Sequence, residues 1–251
     1  MIRLSKSRIE YLNYLWTIYS GCKNRELGIC HIPNCWARSI TQRFKRNYPN
    51  GFEPTFYPEA ILSPMHLKKP NRIGVAFMGD LFGDWMNGKA TPDPDGELWS
   101  GQGIMDSIFH TVEQCPQHTF IFLTKCPKNL LLWSPFPENC WVGATATNGT
   151  EAQRAVIGLR RVEATVRFIS FEPLLGVPGL MDSFGKTVNW VITGAQSNPS
   201  RLPKTEWISE ITNACRRAGI PYFLKNNLKP IWEGELTQDM PKGIERNKQN
   251  V

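Results

Sequence analysis

Residues 140–173 have the sequence CWVGATATNGTEAQRAVIGLRRVEATVRFISFEP, and their pattern decides the fold class. The first part, up to Asn148, is apolar through most of its length and predicts a strand. Apolar side chains then recur with the spacing of one face of an α-helix, at Ala152, Ala155, Val156, Leu159 and Val162. A second apolar stretch over residues 166–173 predicts another strand. A strand, a helix and a strand in this order are typical of a parallel β/α unit.

The same unit recurs on both sides of this stretch. Further strands are predicted over residues 14–19, 72–80, 120–125, 188–196 and 220–226. Helical segments are predicted over residues 36–44, 104–115, 130–133 and 207–218, with a short one near Leu180. The first of these helices is expected to bury Trp36, Ile40 and Phe44, so that Trp36 packs behind the segment before it.

Seven apolar strands that alternate with helices predict an α/β fold with a parallel sheet. Such a sheet is either open and doubly wound or closed into a full or partial TIM-like barrel. We favour the barrel, because no strand is followed by the G-x-G-x-x-G turn of a dinucleotide-binding half. The open sheet remains the alternative.

The size of the chain favours one domain that covers residues 1–251, since α/β barrels of about 200–250 residues fold as a unit. Within it we expect a cysteine loop at 20–37, an irregular connection at 48–71, an insertion at 83–103 and a C-terminal tail at 228–251. The N-terminal segment has charges but no apolar run after them, and no apolar run reaches the roughly 18 residues of a membrane span. We therefore expect a cytoplasmic protein without a membrane partner.

The net charge of +7 favours a polyanionic partner such as nucleic acid. The basic residues are spread along the chain, however, and no arginine-rich tract stands out. A solvated basic surface explains the charge equally well.

Three of the seven cysteines, Cys22, Cys30 and Cys35, lie inside the cysteine loop, in a stretch of fourteen residues. Thiolates this close can converge on one metal centre if the loop wraps around it. A structural zinc site normally has four protein ligands, whereas a cluster held by three cysteines leaves one iron open. Zinc completed by His31 or Cys126, and a chance cluster of buried thiols, are the alternatives. A disulfide framework is disfavoured, because the count is odd and nothing indicates secretion.

Polar side chains follow the apolar strands at the points where they end. These endings include Gly79 and Asp80, Lys125 and Cys126, Thr145, Ser170 and Glu172, Gln196, and Lys225. In a parallel barrel the carboxyl ends of the strands form the active face. We therefore expect these side chains to lie on the same rim as the three cysteines. Strand-end acids that merely pair with a nearby lysine or arginine are the simpler interpretation of Asp80 and Glu172.

Five blocks carry a resemblance to a known family. They are the cysteine loop from Gly21-Cys22 to Asn34-Cys35-Trp36-Ala37, Met78-Gly79-Asp80-Leu81-Phe82, Gln117-His118-Thr119-Phe120 with Leu123-Thr124-Lys125, Phe171-Glu172-Pro173-Leu174-Leu175-Gly176, and Gly219-Ile220-Pro221-Tyr222-Phe223. The chain resembles an uncharacterised family named from phage proteins, which is regarded as belonging to, or near, the radical S-adenosylmethionine (SAM) superfamily.

That resemblance implies a partial (β/α)-barrel and a [4Fe-4S] cluster held by Cys22, Cys30 and Cys35, with SAM on the free iron. It also implies an external electron donor, reductive cleavage of SAM and hydrogen abstraction from a substrate of unknown identity, for which a nucleoside or nucleic acid is one possibility. The remaining residues that match the superfamily's SAM contacts are Gly79 and Asp80 for the amino group, Lys125 for the carboxylate, and Thr145, Ser170 and Glu172 for ribose and methionine.

The loop departs from the usual C-x3-C-x2-C spacing, because it reads C-x7-C-x4-C. The entropic cost of closing a longer loop is small, on the order of 0.6 kcal/mol per doubling of length. Two other functions remain open at this point. One is a zinc-stabilised nucleic-acid-binding module without catalysis, and the other is a metal-independent hydrolase or transferase that uses Asp80, Lys125 and Glu172. Cys126 could also donate a hydrogen atom to a substrate radical.

Overall fold

A computed structural model describes residues 3–179 and 184–242 of the chain. Its strands are β1 (Leu4–Lys6), β2 (Tyr14–Trp16), β3 (Tyr19–Gly21), β4 (Thr55–Phe56), β5 (Arg72–Val75), β6 (Met78–Gly79), β7 (Ala90–Pro92), β8 (Leu98–Ser100), β9 (Thr119–Thr124), β10 (Cys140–Thr145), β11 (Val166–Phe171), β12 (Trp190–Thr193), β13 (Gln196–Ser197), β14 (Ser200–Arg201) and β15 (Tyr222–Leu224). The α-helices are α1 (Trp36–Arg43), α2 (Gly101–Glu113), α3 (Gly149–Leu159), α4 (Phe184–Thr187) and α5 (Thr205–Ala218). Short 3-10 helices cover Pro58–Ala60, Ser63–His66, Asp84–Met86, Pro127–Trp133 and Asn226–Leu228.

Eight strands form the main sheet, in the order β1-β2-β5-β9-β10-β11-β12-β15. β1 is antiparallel to β2, and every other neighbouring pair is parallel. Each parallel strand lies beside the one before it in this sheet, whereas a doubly wound sheet reverses its order at a switch point. The predicted parallel α/β class is therefore confirmed, and the doubly wound alternative does not match the strand order.

The sheet is curled, because residues near its two edges contact each other. The ring of Tyr11, just before β2, packs edge-on against Trp190 and Phe223, with ring centroids 5.6 and 5.9 Å apart. These residues belong to an apolar cluster on one face of the sheet that also includes Ile121 and Phe168. No ladder joins β15 to β1 or β2 in the described ranges, so the full barrel is not formed there and the sheet is open.

Two of the sheet strands continue into a second, smaller sheet. After a break, β2 leads to β3 and β5 leads to β6, and β3 lies between β4 and β6. The break after β5 is at Ala76, whose φ of 58° lies in the left-handed region and costs about 1–2 kcal/mol for a residue with a Cβ. In the small sheet Gly21 pairs directly with Gly79. The beginning of the cysteine loop is thereby fixed beside Asp80.

Helix α1 forms where it was predicted, but the predicted buried face is wrong. Trp36 is 48% exposed and Phe44 is 47% exposed, whereas Ala37 and Thr41 are buried. Trp36 therefore does not pack behind the cysteine loop. Small side chains on the inner face let the helix lie close to β6, and the large apolar side chains point the other way.

The other long helices form in the predicted segments, and each buries one apolar face. α2 buries Ile104, Ile108 and Val112, and α5 buries Ile208, Ile211 and Cys215. α3 buries Ala152, Ala155 and Leu159 of its predicted face, and Val156 of that face is half-buried. α5 ends at Gly219, which has a left-handed φ of 65°. The turn of helix predicted after β9 is the 3-10 helix Pro127–Trp133. Leu180, near which a short helix was predicted, lies outside the described residues.

The segments between the units also have regular structure. β7 and β8 pair as a hairpin inside the predicted insertion, and β4 with two 3-10 helices lies in the predicted irregular connection. The described part of the predicted tail runs beside β15, since the Leu224 amide donates to the Thr237 carbonyl. Residues 243–251 of that tail fall outside the described ranges. A helix with the length and apolar character of a membrane span does not occur in the described residues.

Candidate functional site

The nine residues predicted for the site line one cavity of about 320 Å³ at the carboxyl ends of the parallel strands. These residues are Cys22, Cys30, Cys35, Gly79, Asp80, Lys125, Thr145, Ser170 and Glu172. Tyr11, Phe77 and Leu123 contribute apolar wall from the inner cluster of the sheet. The structure therefore brings the three thiols and the polar strand ends together, as the barrel analogy implied. Their individual roles stay predictions.

Asp80 is the most heavily bonded of these residues. Its side chain is buried, and its Oδ1 accepts hydrogen bonds from the Phe82 amide at 3.1 Å and from Thr124 Oγ1 at 2.7 Å. Its Oδ2 accepts from Asn24 Nδ2 at 2.7 Å and from the Lys125 amide at 2.9 Å. Four donors saturate the carboxylate without a lysine or arginine side chain. Asp80 therefore connects the cysteine loop to the end of β9.

Asn24 is the loop's own anchor, and it is only 1% exposed. Its side chain donates to Asp80 and accepts from the Cys126 thiol, with the sulfur 3.1 Å from Oδ1. Its carbonyl accepts the amides of Ile29 and Cys30 at 2.7 and 3.0 Å, which turns the loop back on itself. Cys126 is thus a buried donor that holds Asn24.

The three loop thiols differ in their surroundings. Cys22 is half-buried, and its sulfur accepts the Asn24 amide. Burial, reinforced by the Asp80 carboxylate, raises the pKa of the Cys22 thiol far above its usual range. Cys30 and Cys35 are also partly exposed. The segment between them is held at the surface by a hydrogen bond that the Arg25 side chain donates to the Pro33 carbonyl. As placed, no group of three or more Cys, His, Asp or Glu side chains in the described residues is close enough to hold a metal ion.

Glu172 belongs to an ion-pair cluster on the opposite side of the cavity. Lys225 donates to Glu172 Oε1 and lies 3.4 Å from Glu10 Oε2. Burial alone would lower the pKa of Lys225, but the two carboxylates outweigh it and raise that pKa. The simpler interpretation of Glu172 as a strand-end acid with a lysine partner therefore describes its contact in the structure.

The Ser170 hydroxyl, by contrast, has no hydrogen-bond partner among the described residues. The residue is fully buried in the protein, lines the cavity, and its Oγ makes no hydrogen bond within the described chain. A buried hydroxyl without a partner costs about 1–3 kcal/mol, so a polar group of a ligand in this cavity would satisfy it. Lys125, which also lines the cavity, has no ion-pair partner in the described ranges.

Two glycines make the close approach at the cysteine loop possible. A Cβ on Gly79 would lie 2.3 Å from the Gly21 carbonyl oxygen. Gly21 has a φ of 88°, and a Cβ there would lie 2.2 Å from the Glu53 carbonyl oxygen. Both positions therefore require glycine for the small sheet to form.

Sequence reasoning missed Asn24 as a site residue and did not connect Lys225 with Glu172. Asn24 had one signal, because it is an uncharged side chain that can both donate and accept hydrogen bonds, two residues after a loop cysteine. The Lys225 signal was its position at the end of the last strand, on the same rim as Glu172. His31, considered as a zinc ligand, is exposed and does not line the cysteine cavity.

Residues 6–235 of the chain match a family described as a protein of unknown function, DUF5131. No curated protein and no solved structure matches the chain. The description of the family names no activity, so kinship with radical SAM enzymes remains a prediction. Because the match covers most of the 251 residues, the chain belongs to the DUF5131 family.

Proposed function

We propose that the protein is an iron–sulfur enzyme of the radical SAM type, in which Cys22, Cys30 and Cys35 hold a [4Fe-4S] cluster and SAM occupies the cavity beside them. One observation carries the proposal: three thiols from a single loop share a cavity with polar side chains at the ends of four strands. These strands are β6, which continues β5, and the next strands of the main sheet, β9, β10 and β11. In this proposal the curled, open sheet is a partial barrel of the radical SAM kind.

The donor set of the cavity fits such a cluster. Its lining in the described residues has three cysteines and no histidine, so one iron would lack a protein ligand. Ser170 supplies a buried hydroxyl without a partner, and the volume of about 320 Å³ falls within the usual range for small-molecule sites. The thiols do not form a ligand set as placed, so cluster binding requires the segment that carries Cys30 and Cys35 to draw inward.

That movement is compatible with the bonding of the loop. Cys22 is held by Asn24, which is itself fixed to Asp80 and Cys126 in the interior. Residues 25–28 are exposed, and the salt bridge between Arg38 and Glu26 lies at the surface. The buried anchor would therefore fix the first ligand while the exposed part of the loop adjusts.

When bound and reduced, the cluster supplies the electron that cleaves SAM and so starts hydrogen abstraction. Lys125 would bind the SAM carboxylate, which is supported by an ammonium group without an ion-pair partner among the described residues. Ser170 would bind a polar group of SAM in the interior. Asp80 positions the loop instead of contacting the SAM amino group, since its four hydrogen bonds occupy both carboxylate oxygens.

The same contacts weigh against the metal-independent enzyme. A general acid or base must exchange its proton with a substrate. Asp80 is saturated by protein donors, and Glu172 is paired with Lys225. Neither carboxylate is therefore free for that role. The zinc-binding module would need a fourth ligand, and Cys126 is already engaged with Asn24.

The proposal is tested by SAM cleavage. Anaerobically purified protein, reconstituted with iron and sulfide, is mixed with dithionite and SAM, and 5′-deoxyadenosine is measured by mass spectrometry. We expect this product from the natural chain and from Cys115→Ala, a cysteine outside the loop, but not from a variant with Cys22, Cys30 and Cys35 all changed to Ser. Intact SAM with iron-loaded natural protein, or equal cleavage by the triple variant, would overturn the proposal. Zinc without sulfide in the natural protein would favour the binding module.

A further inference from the structure

A second cavity, of about 770 Å³, adjoins the cysteine cavity. Its walls come from the exposed half of the cysteine loop, the 3-10 helix Pro127–Trp133 and α3. The two cavities share four lining residues, Cys30, Ile32, Lys125 and Thr145. A molecule in the second cavity would therefore lie next to the proposed SAM site.

The wall formed by α3 is tightly packed. A Cβ on Gly158 would lie 2.6 Å from the Pro127 carbonyl oxygen, so the helix and the 3-10 helix approach each other at a position that needs glycine. Asn148 and Glu151 form a variant of the capping box at the start of α3. Asn148 Oδ1 accepts the Glu151 amide, and Glu151 Oε2 accepts the amide of Thr147, one residue before the N-cap. This wall is preformed, which favours ligand binding.

Positive charge dominates the lining. Lys125, Arg154 and Arg161 contribute cations that have no ion-pair partner in the described residues. Lys128 is paired with Asp84, and Glu151, the only acidic side chain of the lining there, is engaged in the capping box. Arg154 lies on α3 and Arg161 lies two residues after its end, and both line the same cavity. A guanidinium group can bind two phosphate oxygens at once.

Two exposed apolar side chains line the same cavity as the two arginines. Ile157 is 67% exposed and Leu131 is 40% exposed, and both line the cavity. Exposed isoleucine and leucine beside unpaired arginines suit a ligand that has an anionic end and a flat or apolar body. A phosphate ion alone would leave the apolar surface uncovered.

We propose that this cavity binds the substrate as a phosphorylated nucleoside, with the phosphate on Arg154 and Arg161 and the base over Ile157 and Leu131. Its role as the substrate site rests on the proposed function, whereas the binding itself does not. The chemistry is shared by a free nucleotide and by one unit of a single-stranded nucleic acid. In both cases the nucleoside lies toward Lys125 and the cysteine cavity.

Binding is measured by the fluorescence anisotropy of a labelled single-stranded oligodeoxynucleotide, with nucleoside 5′-monophosphates and inorganic phosphate as competitors. We expect Arg154→Ala with Arg161→Ala to weaken binding at least tenfold. The control pair, Arg216→Ala with Arg217→Ala in the last turn of α5, removes the same charge outside the cavity and should change affinity less than twofold. Ile157→Ser, at an exposed site, should weaken binding about threefold, since it removes apolar contact.

The competition measurements distinguish a free nucleotide from a unit of a single-stranded nucleic acid. Displacement by monophosphates at micromolar concentration identifies a free nucleotide, and displacement only by unlabelled strand identifies a unit of a nucleic acid. Competition by inorganic phosphate as strong as that by nucleotides, equal losses in the two arginine pairs, or no binding by the natural chain would overturn the inference. The double variant Cys22→Ser with Cys35→Ser changes two proposed cluster ligands that do not line the second cavity, and it should keep its affinity for the probe within twofold. Failure of the cluster proposal and failure of this inference are therefore observed separately.

Discussion

The two sides of the cysteine cavity hold their acidic residues in different ways. On the side of β3, β6 and β9, Asp80 accepts four hydrogen bonds from uncharged donors and is fully enclosed. On the side of β11, β12 and β15, Glu172 is partly exposed and pairs with Lys225, next to the unpartnered hydroxyl of Ser170. The first side is completed by the protein itself, whereas the second leaves a polar group for a ligand. A carboxylate at a strand end can therefore serve to position a loop through donors of the protein, as Asp80 does.

Removal of Asp80 should have the largest effect. Asp80→Ala leaves the donors of Asn24, Thr124, Phe82 and Lys125 without an acceptor in the interior, and each unsatisfied buried donor costs about 1–3 kcal/mol. We expect the free energy of unfolding in urea to fall by at least about 3 kcal/mol. Iron binding by the cysteine loop should be lost as well, because Asn24 is no longer fixed.

Asp106→Ala is the control for this change, because Asp106 is exposed on α2 and, among the residues that the structure describes, its side chain accepts a hydrogen bond only from Gln102. Its unfolding free energy should stay within about 0.5 kcal/mol of the natural value. If Asp80→Ala were as harmless as Asp106→Ala, the description of Asp80 as a buried anchor would be wrong.

Lys225→Met should have a smaller effect that depends on pH. The carboxylates of Glu172 and Glu10 are partly exposed and regain water, so we expect a loss of about 1–2 kcal/mol at neutral pH. The folded-state pKa of Lys225 is raised above its ordinary 10.5, so its contribution is complete below pH 10.5 and is lost as pH rises through the folded pKa.

Urea unfolding of both proteins between pH 7 and 11.5 measures this contribution. The difference between the natural chain and Lys225→Met should be constant up to about pH 10 and shrink above pH 10.5. A difference that grows with pH in this range would contradict the sign of the shift.

Ser170→Ala should have the smallest effect on stability and a clear effect on binding. Ser170 and Thr193 are both buried hydroxyls without a partner in the described chain, but only Ser170 lines the cavity. We expect Ser170→Ala and the matched control Thr193→Val to leave the free energy of unfolding unchanged or slightly higher, because neither change removes a hydrogen bond.

Isothermal titration with SAM under anaerobic conditions then separates the two variants. Ser170→Ala should weaken SAM binding by about fivefold to tenfold, the loss of one hydrogen bond, and Thr193→Val should not. Equal affinities in both variants would show that Ser170 Oγ does not face the ligand.

The sequence was sufficient to predict the strands, most helices and the location of the site. Alternating apolar strands and helices specify a parallel sheet, and a parallel sheet collects its strand ends on one edge, so Cys22, Asp80, Lys125 and Glu172 were placed together before any contact was known. Strand order and the open edge depend on long-range pairing, which no local pattern encodes.

The errors came from side chains whose surroundings are set by other elements. In α1 the series from Trp36 to Phe44 and the series of Ala37 and Thr41 have the same helical period, so hydrophobicity alone selected the wrong face. Asn24 was overlooked because its partners, Asp80 and Cys126, are 56 and 102 residues away in the chain. The second cavity was not predicted, since Arg154 and Arg161 look like ordinary solvated residues on a helix.

The most direct test of the central claim is the iron and acid-labile sulfide content of the protein after anaerobic reconstitution. We expect roughly four irons and four sulfides per chain in the natural protein, and none in the variant with Cys22, Cys30 and Cys35 changed to Ser. Cys126→Ala should keep its cluster if Cys126 only supports Asn24. Zinc without sulfide in the natural protein, or a cluster that survives loss of all three loop thiols, would contradict the account.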